Sequence, residues 1–527
     1  MVGGSEARAR LAFWAVLIAS AGILTLCLHS VPLLDPDEAR FARTAVEMFR
    51  RGDLVVPTFE GQPRLVKPPL VHWLQVFFFA RFGISPWAAR LHSVLATLAS
   101  VVLVAWIARR RYGEEGALWA AASLATMPLV AACGRLGTLD ALLALHVLAV
   151  VGLDMTGARE RASYSGLASG AVMGLAFLIK GPVGIVLPLL LMMAGRTAAG
   201  REVVPRRTTV LAATAGCCAV VLPWALAFVR RVGFDTALGT LHAEAFERFF
   251  AGRVHNEPIW FYLPIVLVGF LPWSLPLVAG LGRAVRERRD PASATARYSG
   301  AALVVGVLFF TASRSKLANY LLPLAPFAAL VVAWEVGREI KAASRSSLMP
   351  QLFAGAIAAL ALVLASAGVS RLEGDERAFA WVGAAVLGAG ATAALGGLLA
   401  QRPRLVYGAS ATACAGLLLA AACLLHPAIG QRRSTRELVS AIPQLASGRP
   451  VVTVDMRVPS LTFYLDRPVE VVGLAALGPR LERSDDPLFV AGAADLSRLP
   501  DPVRRRLQEI GRQGKYRVFE KAKEPVP

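Results

Sequence analysis

The first 426 residues alternate long apolar runs with short charged loops. About thirteen apolar runs recur between Leu11 and His426, each near the ~20 residues that carry an α-helix across a bilayer. The C-terminal residues after this region hold no such run. The pattern predicts an all-α polytopic membrane domain over residues 1–426, with about thirteen transmembrane helices, and a small separate domain over residues 427–527.

The C-terminal residues alternate helical and β-rich segments. The apolar segments are short and rich in Val, Leu and Phe, which is typical of buried strands. The predicted elements are helices over 434–446 and 502–510 and strands over 451–455, 469–472, 488–491 and 516–520. We expect a small α/β domain with an accessory role, because it carries no Gly-rich phosphate loop.

A charged loop with several prolines, residues 32–85, separates the first two membrane runs. A helix is predicted to begin at Asp37, with the apolar residues Phe41, Ala45, Met48 and Phe49 on one face. Gly52 is expected to end it. Such a helix lies flat on a membrane, and a second apolar segment over 70–82 follows, so the loop is predicted to carry interfacial helices.

Basic residues account for the net charge of +20 and also indicate the topology. They concentrate in short loops between alternate runs, which is the positive-inside pattern of cytoplasmic loops. These loops contain Arg109 to Arg111, Arg159, Arg161, Arg206, Arg207, Arg286, Arg288, Arg289, Arg338, Arg345, Arg402 and Arg404. The charge is thus explained without nucleic acid, and loop 32–85 and the C-terminal domain are expected on the outer face of the membrane.

The expected outer ends of the spans carry two sets of polar residues. The carboxylates are Asp37, Glu38 and Asp140, and the cations and phenol are Lys67, Lys180, Lys316, Tyr320 and Arg248. Ionisable groups beside hydrocarbon are costly, so they favour a functional site. Group transfer from a phosphate leaving group needs cations for the developing charge and a carboxylate that orients or deprotonates the acceptor.

Several of these residues also have structural interpretations. Asp37 and Asp140 could cap helices, and Glu38 could favour a first helical turn. Lys67 could extend from an interfacial segment to water, and Tyr320 could be an ordinary interfacial aromatic. Lys316 and Tyr320 stand four residues apart, which predicts that one helix face presents both.

The chain offers little support for a cofactor. His242, Glu244, Arg248, His255 and Glu257 share one loop without firm ligand spacing, so a divalent metal is an open but unsupported alternative. The six cysteines lie in or at the ends of apolar runs and imply no disulfide framework.

Six motifs in order give a family resemblance. They read DPDEARFARTAVEMFRRGDLVVP, RLVKPPLVHWL, LGTLDALLAL, FLIKGPVG, FERFF with HNEPIWFYLP, and SKLANYLLP. The chain resembles the bacterial polyprenyl-phosphate-sugar-dependent glycosyltransferases of the GT-C class, in particular the lipid A aminoarabinose transferases. The resemblance covers most of the membrane domain and extends to the C-terminal domain only in position and α/β character.

The resemblance implies an enzyme that moves a sugar from an undecaprenyl-phosphate carrier to a periplasm-facing acceptor such as lipid A, with inversion and without a nucleotide. It implies that Asp37 and Asp140 are the catalytic acids, that Lys67 lies near the carrier phosphate, and that Lys180 and Tyr320 are further phosphate-side residues. Two positions depart from the family pattern. Val66 replaces a Glu that often precedes KPP, and Ala245 replaces a His, so the general class is better supported than the particular sugar, acceptor or metal.

Three alternatives remain at this point. The first is a related enzyme that transfers a sugar to protein hydroxyls, as the protein mannosyltransferases do, for which a carboxylate must act as a base. The second is a lipid or solute transporter, which would favour charges near mid-membrane and internal repeats, and neither is visible. The third is a catalytically idle assembly protein. The sequence leaves the sugar and the acceptor open.

Overall fold

The computed structural model describes residues 2–156, 162–243, 257–342, 348–370, 372–492 and 499–522, and these are mainly helical. The chain forms two compact units. The first unit comprises Met1–Leu26, Leu65–Val71 and Arg90–Leu424. The second comprises Cys27–Arg64, His72–Ala89 and Leu425–Pro527, so it combines segments of the first loop with the C-terminal residues.

Long apolar helices dominate the first unit. Within the described residues, eight helices are long and apolar enough to cross a membrane: Glu6–Thr25, Pro86–Ala125, Arg207–Val232, Pro291–Ala312, Ala318–Ala342, Met349–Gly368, Gly374–Leu399 and Pro403–Arg432. Shorter apolar helices are Leu70–Phe82, Tyr164–Lys180 and Val183–Ala198. Two more helices, Asp140–Thr156 and Phe234–His242, matter for the site. The multi-pass membrane class is confirmed, and the number thirteen stays a prediction.

Glycine and proline interrupt several helices. Gly113, with φ 77° and ψ −169°, breaks Pro86–Ala125 into two helical pieces. The apolar run over 116–133 is divided, because one helix ends at Ala125 and a short helix Pro128–Gly134 follows. The apolar run over 259–281 is also divided, because helices Tyr262–Gly269 and Ser274–Arg286 meet at a bend of 110° with Pro272 between them.

The loop helix, Asp37–Arg51, begins and ends where the sequence predicted. Gly52 takes the left-handed conformation at φ 64° that commonly ends a helix. Protein covers most of the apolar face, since Phe41 is 5% exposed and Met48 is 0% exposed, whereas Phe49 is 38% exposed. The prediction that the whole face lies against lipid is therefore wrong. A hairpin of β1 (Thr58–Phe59) and β2 (Gln62–Pro63) follows the helix.

The C-terminal residues form a five-stranded sheet in the order β4-β3-β5-β7-β6. The strands are β3 (Val451–Val454), β4 (Glu470–Val472), β5 (Leu488–Gly492), β6 (Leu507–Gln513) and β7 (Tyr516–Lys521). β3 pairs in parallel with β4 and β5, and β7 pairs antiparallel with β5 and β6. All four residues of β3 are buried, as expected for a parallel strand covered on both faces.

Helices of the C-terminal residues are short. They are His426–Arg432, Arg436–Ala441, Pro443–Ala446, Pro459–Leu465, Leu477–Leu481 and Asp501–Arg504. The helix predicted over 502–510 is wrong, because it ends at Arg504 and Leu507–Gln513 is a strand. Gly514, at φ 52°, lies in the turn that brings β6 back onto β7, and the cross-strand hydrogen bonds outweigh local helix preference.

Candidate active site

Asp140 is the first residue of helix Asp140–Thr156, and its side chain is almost fully buried in the first unit. Three side chains donate hydrogen bonds to the carboxylate. The Nζ of Lys180 lies 3.1 Å from Oδ1, and the Nδ2 of Asn319 and the Oγ1 of Thr138 lie 2.6 and 3.2 Å from Oδ2. A buried carboxylate is tolerated only with such partners. The structure therefore pairs Asp140 with Lys180, forty residues later in the chain.

Lys180 is the last residue of helix Ala162–Lys180. Gly181, at φ +62°, reverses the chain into the helix that begins at Val183, so the lysine stands at a helix end rather than within a span. Its Nζ lies 4.3 Å from the ring centroid of Tyr320, a cation–π distance. The ammonium therefore contacts both a carboxylate and an aromatic face.

Asn319 and Tyr320 lie on the 3₁₀ helix Ala318–Leu324. The sequence predicted Tyr320 as a site residue and missed Asn319. The available signal was an amide side chain in the otherwise apolar segment LANYLLP. Asp140, Lys180 and Tyr320 are thus brought together as a cluster, and Asn319 completes it.

Buried polar residues fix the loop that precedes Asp140. The backbone carbonyl of Thr138 accepts hydrogen bonds from Nε2 of His92 at 3.0 Å and Oγ of Ser93 at 3.1 Å. Buried Arg135 donates to the carbonyls of Leu26 at 2.9 Å and Ala422 at 3.2 Å. Sequence reasoning missed His92, Ser93 and Arg135, although polar residues within apolar runs could have indicated them.

A cavity of about 240 Å³ lies in the first unit and is lined by two lysines in a mainly apolar wall. The lining residues are Leu65, Val66, Lys67, Pro68, Phe177, Lys180, Gly181, Pro182, Val221, Trp224, Ala225, Phe228, Val229, Phe234, Ala237, Leu238, Thr240 and Leu241. Two lysines in a mainly apolar lining suit a molecule with an anionic head and a hydrocarbon chain. The structure thus brings Lys67 and Lys180 to one cavity.

Asp37 and Glu38 lie at the start of the loop helix in the second unit. The Asp37 side chain is 57% exposed and 3.4 Å from Arg40, and the helix begins without a side-chain cap. Capping therefore does not explain Asp37. Glu38 is buried, and its Oε2 accepts a hydrogen bond from the backbone N–H of Leu34 at 2.9 Å, which gives it a structural contact.

Lys316 is placed differently from its prediction. Its Nζ donates to the backbone carbonyl of Glu257 at 3.1 Å, and Leu317 is extended at φ −137°. The helix begins only at Ala318, so the prediction that Lys316 and Tyr320 share a helix face is wrong. Arg248 lies outside the described residues.

Metal-ligating residues are dispersed where the structure describes them: no group of three or more His, Cys, Asp or Glu could hold a metal in the described ranges. Glu244 and His255 of the loop considered above lie outside those ranges.

Known proteins resemble the chain in sequence. A family model described as dolichyl-phosphate-mannose-protein mannosyltransferase matches residues 66–227. The undecaprenyl phosphate-alpha-4-amino-4-deoxy-L-arabinose arabinosyl transferase of Edwardsiella ictaluri is 29% identical over 461 residues, 82% of this chain and 81% of that protein. The protein of the same name from Pectobacterium carotovorum is 32% identical over 333 residues, and the match covers 61% of this chain and 58% of that protein.

Solved structures share the fold. ArnT from Cupriavidus metallidurans, in a crystal structure bound to undecaprenyl phosphate, superposes with a TM-score of 0.80 at 22% identity over 98% of both chains. An Archaeoglobus fulgidus oligosaccharyltransferase superposes with a TM-score of 0.56 at 11% identity, over 98% of this chain and 75% of that one.

The chain is an integral-membrane glycosyltransferase that shares the fold of ArnT and is similar in sequence to enzymes of the GT-C class. Within that class it is similar to the undecaprenyl phosphate-alpha-4-amino-4-deoxy-L-arabinose arabinosyl transferases, so the resemblance found in the motifs is confirmed. Because the sequence relatives are named transferases, the transporter is not retained.

Proposed function

We propose that the protein transfers 4-amino-4-deoxy-L-arabinose from an undecaprenyl-phosphate carrier to lipid A at the periplasmic face of the bacterial inner membrane, with inversion. The observation that carries this proposal is the pair of lysines, Lys67 and Lys180, on one apolar cavity. The name of the Edwardsiella ictaluri relative supplies the sugar, and the ArnT structure bound to undecaprenyl phosphate supplies the carrier. The carrier phosphate is the leaving group, so no nucleotide is required.

In the proposed reaction, the bond between the anomeric carbon and the carrier phosphate oxygen breaks, and its electron pair leaves with the phosphate. The acceptor oxygen forms the new bond from the opposite face. Lys67 and Lys180 stabilise the developing phosphate charge, with Lys316, Tyr320 and Arg248 as further phosphate-side candidates. Asp37 orients or deprotonates the acceptor, with Glu38 as a second candidate acid. Asp140 holds the Lys180 ammonium in place.

A second candidate is transfer of a sugar to protein hydroxyls. The match of residues 66–227 to the dolichyl-phosphate-mannose-protein mannosyltransferase family favours it. Serine and threonine hydroxyls must lose a proton during attack, so Asp37 would then act as a general base. A lipid A phosphate is already an anion and needs mainly orientation.

The purified protein in lipid nanodiscs distinguishes the two candidates. Undecaprenyl-phosphate aminoarabinose with lipid A should give a product that mass spectrometry identifies as aminoarabinosyl lipid A. Polyprenyl-phosphate mannose with a Ser/Thr-rich peptide should give no product. The reverse result would replace the first candidate with the second, and no transfer from either donor would contradict both.

Lys67→Ala is expected to raise the KM for the carrier-linked donor about tenfold to a hundredfold, because a charge-assisted contact to phosphate is lost. Lys67→Arg should restore only part of the affinity, since the planar guanidinium places its charge differently from a compact ammonium. Lys341→Ala, at an exposed helix end, is the matched control. A donor KM that is unchanged in Lys67→Ala would remove Lys67 from the phosphate site.

Reporter fusions test the proposed orientation. Alkaline phosphatase folds only outside the cytoplasm, so a fusion after Gln444 should be active and a fusion after Arg288 inactive if the basic loops are cytoplasmic. Enzyme activity is measured in whole cells, with the amount of fusion protein measured by immunoblot. The opposite pair of activities would place the C-terminal domain in the cytoplasm and contradict a periplasmic acceptor.

A further inference from the structure

Asp35 lies two residues before Asp37, and its carboxylate is bound entirely by C-terminal residues of the second unit. The backbone N–H of Ser460 donates to Oδ1 at 2.8 Å, and the hydroxyl of Tyr516 donates to Oδ2 at 2.8 Å. The hydroxyl of Ser460 also donates to Oδ2. Asp35 is 8% exposed. Its backbone N–H donates in turn to the carbonyl of Arg433 at 2.9 Å, so the chain itself is fixed at this point.

Burial of the Asp35 carboxylate is unfavourable, and its hydrogen bonds offset this cost. Burial raises the pKa of the Asp35 carboxyl, whereas the hydrogen bonds from Ser460 and Tyr516 act in the opposite direction. A buried acceptor that loses one of its donors pays a desolvation penalty larger than the net value of a hydrogen bond. The three hydrogen bonds are therefore expected to act cooperatively, so removal of one donor should destabilise the conformation of the loop around Asp35.

Ser460 belongs to helix Pro459–Leu465, here called the clasp helix, whose other polar residues also contact the first loop. The hydroxyl of Tyr464 accepts a hydrogen bond from the N–H of Leu33 at 2.8 Å. The hydroxyl of Thr462 donates to Glu60 at 3.0 Å. The clasp helix thus contacts the loop both before and after the loop helix.

A second contact, with a half-exposed carboxylate, lies just beyond the clasp helix. Arg43 of the loop helix is 5% exposed and lies 2.8 Å from Asp466, the residue that follows the clasp helix. Arg43 also lies 3.2 Å from Glu47. Arg50 binds the same Asp466 carboxylate. One shared carboxylate therefore fixes two turns of the loop helix.

Before Leu70, the first loop has little structure of its own beyond one helix and a hairpin with two residues per strand. A hairpin of that size is not stable alone, so its conformation depends on what it packs against. Glu47 holds this hairpin by accepting hydrogen bonds from the hydroxyl of Thr58 and the N–H of Glu60, each at 2.8 Å. The loop helix, the hairpin and the clasp helix are thus one hydrogen-bonded assembly.

We propose that the C-terminal sheet domain positions the helix that carries Asp37, with Asp35 as the positioning residue and the clasp helix as its partner. The proposal rests on the proposed function, in which Asp37 acts on the acceptor. It gives the C-terminal domain a direct part in catalysis in place of the accessory role expected from sequence. The residues that line the cavity of Lys67 and Lys180 all belong to the first unit. Weakening the contacts of the clasp helix should therefore leave donor binding unchanged.

The test compares Asp35→Asn, Ser460→Ala and Tyr516→Phe, each purified in nanodiscs. We expect kcat to fall about tenfold for Ser460→Ala and Tyr516→Phe and about a hundredfold for Asp35→Asn, with the donor KM within twofold of wild type. The double variant Asp35→Asn/Tyr516→Phe should be no slower than Asp35→Asn, because both substitutions disrupt the same contact. Ser440→Ala, an exposed serine of the same domain, is the control.

Hydrogen exchange of residues 37–51 supplies a readout that does not require transfer. The amides of the loop helix should exchange at least tenfold faster in the three variants than in wild type or Ser440→Ala. If the wild-type protein catalyses no transfer, the proposed function fails. The exchange rates still show whether the clasp helix holds the loop helix in place. Unchanged kcat together with unchanged exchange would overturn the inference. A raised donor KM at constant kcat would also overturn it. If Asp35→Asn does not fold, the two milder variants decide the outcome.

Discussion

Lys180→Met is expected to lower kcat/KM for the carrier-linked donor by about a hundredfold to a thousandfold, the usual effect of removing one group that stabilises developing charge. Lys180 is the one described residue that both lines the donor cavity and contacts Asp140. Its loss would remove positive charge from the cavity and also the cation that lies over Tyr320. Initial rates at several donor concentrations, in protein matched for folded fraction, measure the effect.

Stability complicates Lys180→Met, because the substitution leaves the Asp140 carboxylate buried without its cation. Breaking a buried ion pair in this way costs about 3–5 kcal/mol. The double variant Asp140→Asn/Lys180→Met removes both charges and should regain much of the lost thermal stability without regaining activity. If the double variant were as active as wild type, the ion pair would have a structural role only.

Asp37→Asn is expected to lower transfer by about a hundredfold to ten-thousandfold, since an amide cannot accept a proton or carry charge. The side chain is 57% exposed and caps no helix, so the free energy of unfolding should change little. Single-turnover rates with preloaded donor, and thermal unfolding of the same samples, separate the two effects.

Two further substitutions accompany Asp37→Asn. Glu482→Gln removes an exposed carboxylate of the same unit and should leave both activity and stability unchanged. Glu38→Gln alters a buried carboxylate that accepts from Leu34, and a fall in activity beyond the loss of folded protein would assign part of the acid role to Glu38. Near-normal rates in Asp37→Asn would remove Asp37 from the reaction.

Hydrophobic pattern predicted the elements whose signals are local. The start of the loop helix at Asp37, its end at Gly52 and four of the five strands of the C-terminal sheet follow from neighbouring residues alone. The strand Leu507–Gln513 was missed because its stability comes from pairing with Tyr516–Lys521. The helix preference of the residues themselves contains no information about that pairing. The bend between Tyr262–Gly269 and Ser274–Arg286 also lies inside one continuous apolar run.

In the candidate site, too, the sequence indicated single residues but not the contacts between them. Lys180 and Asp140 were chosen because each is costly beside hydrocarbon, but nothing in the sequence indicated that they pair. Asn319 and His92 were missed because a single polar residue in an apolar run has no partner visible in one dimension. Lys316 was placed on the wrong face because four-residue spacing has meaning only within an α-helix, and the helix there begins after it.

The contact between Asp35 and Ser460 joins residues 425 positions apart. At synthesis rates of about 5–20 residues per second, the clasp helix follows Asp35 from the ribosome after roughly 20 to 85 seconds. Throughout that interval the Asp37 helix has been made, but the residues that hold it have not. The complete loop that carries Asp37 is therefore expected to form only when the last fifth of the chain has folded, and we expect nascent or truncated chains to be inactive.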